Sequence, residues 1–175
     1  EITYADIERA DERLDDDTVV KETPTEVSTS IGAEVGADVR LKMEHLQWTG
    51  SFKPRGAYNK ISQDVRNGES EFVAASAGNH AQGVALAATK CGAESTIFMP
   101  RDAPQAKVDA TRGYGGTVEL VGKDFQETMA HAKEAVEEQG ATFVHAYDDP
   151  DIIAGQGTLG REMYHDCPDV DTVIV

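Results

Sequence analysis

The sequence predicts an α/β chain built on a mostly parallel sheet with helices on both faces. Two observations carry this reading. Short apolar runs, EFVAAS (71–76), ESTIFMP (94–100), TVELVG (117–122) and ATFVHAY (141–147), read as strands buried on both sides. Segments with helical spacing of apolar residues lie between them, so the chain alternates strand and helix as βαβ units do. The apolar content of 39% in 175 residues is enough for a packed core.

The elements follow in order. Thr3 with Asp6 reads as a capping-box-like helix start, and Ile7, Ala10 and Leu14 then line one face. Thr23-Pro24 breaks the chain, and DVRLKMEHLQ (38–47) contains an alternating, strand-like segment. A helix is expected from about Ser51 to Val65, with Ser51 as cap and Pro54 in the first turn, where its missing N–H costs nothing. After the strand at 71–76, the small apolar residues of 78–92 predict a well-buried helix. Asp102 and Gly113 bracket a helix over 102–115. Asp124 with Glu127 caps the next, whose Phe125, Met129, Ala132 and Val136 share a face. Residues 150–167 read as helix and DTVIV (171–175) as a final strand. Functional loops of open parallel sheets follow the carboxyl ends of strands. A chain that stops on a strand is therefore expected to be a piece of a longer enzyme.

Charge excludes some partners. There are 32 acidic against 16 basic residues, a formal net charge of −16. Nucleic acid and anionic membranes both need basic patches, so neither is an expected partner. The acids are dispersed, as on the surface of a salt-adapted protein. No apolar run approaches a membrane span, and the acidic, amphipathic N-terminus is unlike a signal peptide. Cys91 and Cys167 lack CxxC partners and read as reduced thiols of a cytoplasmic protein. No zinc-type, HExxH or EF-hand spacing is present, so no metal is expected.

Three short stretches carry possible chemistry. In TGSFKPRGAYNK, Lys53 lies at a helix start, where the dipole is positive, with Arg55 nearby and Phe52 beside it. Each feature disfavours the ammonium form. A lysine so depressed is a nucleophile able to form a Schiff base; the alternative is a surface lysine with a snorkelling stem. In ASAGNHAQG (75–83), a turn with Ser76 and Gly78 leads from strand to helix, and the first helix amides can hold a carboxylate or phosphate. The alternative is a well-capped turn with no ligand. GQGTLG (155–160) matches the letters of the dinucleotide fingerprint, but DDPDIIA separates it from the preceding strand. Its glycines are expected inside a helix, packed closely on another backbone or on a cofactor.

TGSFKPRGAYNKI together with SAGNHAQGVALAA resembles the pyridoxal-phosphate enzymes of the tryptophan-synthase-β fold type, and among them the threonine and serine dehydratases. The resemblance runs from Thr23-Pro24 to DTVIV. It implies two three-layer α/β domains with mostly parallel sheets: a small domain at 47–149, and a truncated large domain represented by 1–46 and 150–175. It implies pyridoxal 5′-phosphate as cofactor, a small amino-acid substrate and a homo-oligomer. Lys53 matches the lysine that binds the cofactor covalently, Phe52 the aromatic beside its ring, and Asn79 the asparagine on its 3′ oxygen. Ser76, Ala77, Gly78, Asn79 and His80 match the loop that receives the substrate carboxylate. Gln156 and Gly157 fall in a segment near the cofactor. The implied reaction is β-elimination, giving a 2-oxo acid and ammonia from threonine, and also from serine. Serine racemases share the fold, but their loop carries a serine where this chain has Ala77. Pro54 departs from the family pattern. The glycine-rich phosphate loop and the residue facing the pyridine nitrogen would lie beyond Val175, so this chain alone is expected to hold the cofactor poorly.

Overall fold

A computed structural model describes residues 1–15 and 18–175. Helix α1 (Tyr4–Leu14) begins as expected, with the Asp6 carboxylate accepting from the Thr3 N–H at 2.8 Å. A two-stranded antiparallel ribbon follows, β1 (Thr25–Val27) with β2 (Arg40–Lys42), enclosing helix α2 (Thr29–Val35). Only the middle of the strand-like segment 38–47 is strand, because Glu44–Leu46 turns into a 3₁₀ helix.

The remaining elements build the α/β body. They are α3 (Lys53–Arg66), β3 (Glu71–Ala75), α4 (Asn79–Lys90), β4 (Glu94–Met99), α5 (Gln105–Gly113), β5 (Thr117–Leu120), α6 (Phe125–Gln139), β6 (Thr142–Phe143) and α7 (Pro150–Asp166). The sheet order is β5-β4-β3-β6 and every pairing is parallel, as the alternation predicts. Successive side chains point to opposite faces. Phe72 and Ala74 of β3, with Ile97 and Met99 of β4, bury one core against residues of α3, α4, α5 and α7, including Ile61, Val84, Val108 and Ile152. Val73, Ala75 and Phe98 face the other way, onto Ala132 and Ala135 of α6. The sheet is thus covered on both faces.

Four expectations are corrected. Helix α5 starts at Gln105 and not at Asp102, because Pro104 keeps the preceding residue out of helical conformation. The buried face of α6 runs through Thr128, Ala132 and Ala135, leaving Phe125 exposed. Of 141–147 only Thr142–Phe143 is strand, although Val144 adds one further ladder bond to Val73 at 2.8 Å. DTVIV is not a strand: Val173, Ile174 and Val175 lie exposed, with no neighbour among the described residues to pair with. A parallel strand has no internal hydrogen bonds, so an apolar run remains irregular unless a partner flanks it.

Candidate active site

Lys53 is the first residue of α3. The helix start is made by Phe52 at the cap position and Pro54 in the first turn; the Ser51 hydroxyl accepts from the Lys53 N–H at a long 3.4 Å, a looser cap than expected. The approach to this point is clamped from two sides. The Gln47 side chain bonds both the N–H and the carbonyl of Lys21, each at 2.9 Å. The Tyr114 hydroxyl donates to the Trp48 carbonyl.

The Lys53 amine is half-buried and donates to the Ala146 carbonyl at 2.9 Å, with its nitrogen 5.3 Å from the Phe52 ring centroid. Burial lowers its pKa below the ordinary lysine value. The direction and burial as a cause match the expectation, but Arg55 plays no part. Two residues on along the helix, its guanidinium points elsewhere, into a buried network. It donates to both oxygens of Glu44 (3.0 and 2.8 Å) and to both of Glu162 (2.6 and 3.0 Å), and to Thr158 at 3.2 Å. Burial works against its charge, but these two carboxylates outweigh it and raise its pKa. Lys42 extends the network to Glu162 (2.8 Å) and Asp166 (3.3 Å). Among the described residues no carboxylate pairs with the Lys53 amine.

The turn after β3 comes up against the same helix. A Cβ on Gly83 of α4 would lie 3.1–3.2 Å from Lys53 C and Cβ and Pro54 N, so glycine there lets the α4 backbone meet the root of the lysine. The Ser76 hydroxyl accepts from the Gly78 N–H at 3.2 Å, and Ala77 packs partly on the core. Gly78 is the cap residue of α4, whose first amides have no acceptor within the helix. Asn79 is exposed, and its side-chain oxygen accepts from Lys107 at 3.4 Å. The His80 side chain turns inward: it is buried, and its Nε2 lies 3.0 Å from the Val144 carbonyl. Its pKa is pushed down to about 4, by burial above all and also by the Lys53 charge. Any part His80 has in holding an anion at this turn therefore falls to its backbone N–H.

The structure thus brings Phe52, Lys53 and the 76–80 turn together over residues 144–146, at the carboxyl edge of the sheet where ligand sites of parallel sheets lie. Sequence reading missed the 144–146 segment, and its apolar run, read as a plain strand, gave no signal of it. Gln156 lies on α7, where its side-chain oxygen accepts from the Gly56 N–H at 3.2 Å and its amide nitrogen is buried without a partner. Gly155 packs α7 on α3, and Gly157 receives Ile7 of α1. Two of the GQGTLG glycines, Gly155 and Gly157, are therefore helix-packing positions, as expected, while Gly160 has nothing within 4 Å of its virtual Cβ. Among the described residues no group of three or more His, Cys, Asp or Glu could hold a metal.

Residues 17–175 match the family described as pyridoxal-phosphate dependent enzyme. The L-threonine ammonia-lyase of Thermotoga maritima is 49% identical over 177 residues, a match covering 99% of this chain and 43% of that protein. The processed form of threonine deaminase isoform 2 from Solanum lycopersicum is similar in structure, with TM-score 0.85 and 38% identity over 95% of this chain and 45% of the other. Maize serine racemase superposes with TM-score 0.90 and 36% identity, over 97% of this chain and 51% of the other. The chain spans about half the length of the relatives it matches. With the lysine, its glycine-lined contact and the anion-ready turn found at one sheet edge, the chain belongs to the pyridoxal-phosphate-dependent enzyme family.

Proposed function

We propose that this chain carries the lysine-bearing part of an ammonia-lyase that converts L-threonine, and also L-serine, to a 2-oxo acid and ammonia. The observation that carries the reading is the Lys53 amine: half-buried, of lowered basicity, and held by a neutral carbonyl instead of a carboxylate. Such an amine is free to leave its partner and bond an aldehyde. The residues present fit pyridoxal phosphate on that ground, and on the close approach of α4 at Gly83, which sets the start of that helix beside the lysine. Lys53 and Phe52 would hold the cofactor, and Asn79 its ring oxygen. When bound, the cofactor supplies a conjugated ring that spreads negative charge left at the substrate's α-carbon.

The chain's own residues do the rest. Ser76, Ala77, Gly78, Asn79 and His80 receive the substrate carboxylate through the α4 amides, whose dipole favours an anion. The Lys53 Nζ, its basicity lowered by burial, takes the proton from the substrate α-carbon when in its neutral form. Ala77 has no exchangeable proton to offer from the opposite side, which favours elimination over racemisation. The domain reading proposed here places 47–149 in a small domain, with 1–46 and 150–175 in a larger one. The contacts of α1 and β2 with α7, through Ile7–Gly157 and Lys42–Glu162, support it. The two free thiols agree with a reducing, cytoplasmic setting, and self-association is part of the same reading.

Borohydride reduction after incubation with pyridoxal phosphate, followed by peptide mapping, tests the assignment. The pyridoxyl group is expected on Lys53. Lys53→Ala is expected to lose both this labelling and, in the full-length protein, the formation of 2-oxo acid from L-threonine, the latter by about a thousandfold or more. Labelling confined to other lysines would overturn it.

A further inference from the structure

The site contains a histidine whose side chain the proposed reaction does not call on. We infer that His80 is a positioning residue for the Lys53 amine, acting through the strap 144–146 that both side chains hold.

The geometry is a short chain of contacts. His80 Nε2 lies 3.0 Å from the Val144 carbonyl, which can only accept, so the imidazole proton sits on Nε2. Val144 is fully buried, and its N–H donates to the Val73 carbonyl of β3 at 2.8 Å. That residue is therefore pinned on one side by the central strand and on the other by the histidine. Two residues on, the Ala146 carbonyl receives the Lys53 amine at 2.9 Å. The strap is also closed on its far side, where His145 Nδ1 accepts from the N–H groups of Tyr147 and Asp148 at 3.3 and 2.7 Å. Strand β6 ends at Phe143, so beyond the Val144 bond the sheet ladder no longer dictates where the Ala146 carbonyl points. The His80 bond supplies a constraint at the place where the ladder stops.

The placement of the histidine is equally determined. It is the second residue of α4, so the helix that presents the anion-ready amides also carries the ring that fixes the strap. The ionisable groups facing it are Lys53 of α3 and His145 of the strap. At neutral pH the buried ring is uncharged, so its effect on the amine is one of position and not of charge.

This inference rests on Lys53 being the reactive amine, and its test separates the two claims. In the full chain without cofactor, competitive trace acetylation read by mass spectrometry gives the pH midpoint of Lys53 labelling. His80→Phe keeps a ring but loses the donor, while His80→Gln retains an N–H near the Nε2 position. The Phe variant is expected to loosen the strap and let water reach the amine. The Lys53 midpoint then rises by about half a unit, a roughly threefold smaller neutral fraction at pH 8. The amides of 145–147 are expected to exchange faster in the same variant. The Gln variant is expected to restore both readouts towards wild type. Unchanged midpoint and exchange in a folded His80→Phe chain would overturn the inference, as would equal shifts in both variants. Should His80→Phe not fold, exchange of the 145–147 amides in His80→Gln and His80→Ser decides alone: protection retained in Gln and lost in Ser supports the inference, and the same protection in both overturns it. Borohydride trapping on Lys53 of the wild-type chain is the separate check on the reactive amine; its success beside unmoved His80 variants removes this inference only.

Discussion

A histidine kept neutral by burial makes a protein sensitive to acid, and His80 is such a residue. Its folded pKa is pushed down to about 4, from an ordinary 6.5. Between those values the unfolded chain binds a proton that the folded chain refuses, so stability falls as pH falls through this window. On this group alone the loss reaches about 3 kcal/mol. Urea unfolding of His80→Gln is therefore expected to show a flatter stability profile than wild type between pH 6.5 and 4. Parallel profiles would show that the ring titrates normally. At this scale the sequence was legible in part. That Lys53 is a weakened base could be read from its place at a helix start beside an aromatic. That Arg55 faces a buried pair of carboxylates could not, because Glu162 is 107 residues away. The inward turn of His80 was hidden for the same reason, its partner Val144 being 64 residues on.

The α3–α7 contact depends on two glycines meeting. A Cβ on Gly155 would lie 2.6 Å from both the Arg55 carbonyl oxygen and the Gly56 Cα, atoms of a helix backbone that cannot step aside. Gly155→Ala is expected to lower stability by about 1–3 kcal/mol in chemical denaturation. Gly160 lies in the same helix with nothing within 4 Å of its virtual Cβ. There Gly160→Ala is expected to raise stability by about 0.5–1 kcal/mol, since alanine gives up less backbone freedom on folding. Opposite signs within one motif distinguish packing from helix propensity. Elements marked by local chemistry were readable from sequence. The Asp124 side chain caps α6 through the Glu127 N–H at 2.9 Å, as its spacing suggests, and the Asp6 carboxylate meets the Thr3 N–H. Strand extents were not readable. Residues 141–147 and 171–175 are both mostly apolar, yet two residues of the first and none of the second are strand, because the neighbour decides.

Across the whole molecule, one guanidinium joins segments far apart in the chain. Arg55 of α3 binds Glu44 from the N-terminal segment and Glu162 of α7, with all three side chains largely withdrawn from water. Arg55→Met would take from both carboxylates their shared cation, leaving Glu44 with the Thr23 hydroxyl and Glu162 with Lys42, and a loss of about 3 kcal/mol in unfolding free energy is expected by chemical denaturation. Arg55→Lys, which keeps the charge but not the two-sided fork, is expected to fall between. The parallel sheet also has a consequence in time. Lys53 meets the Ala146 carbonyl across 93 positions of chain, and burial is the cause of its weakened basicity. While the polypeptide is still emerging, that side chain is a hydrated cation like any other lysine. Its basicity falls only when residues 142–146 dock beside β3, so the folding of this chain tunes its own lysine.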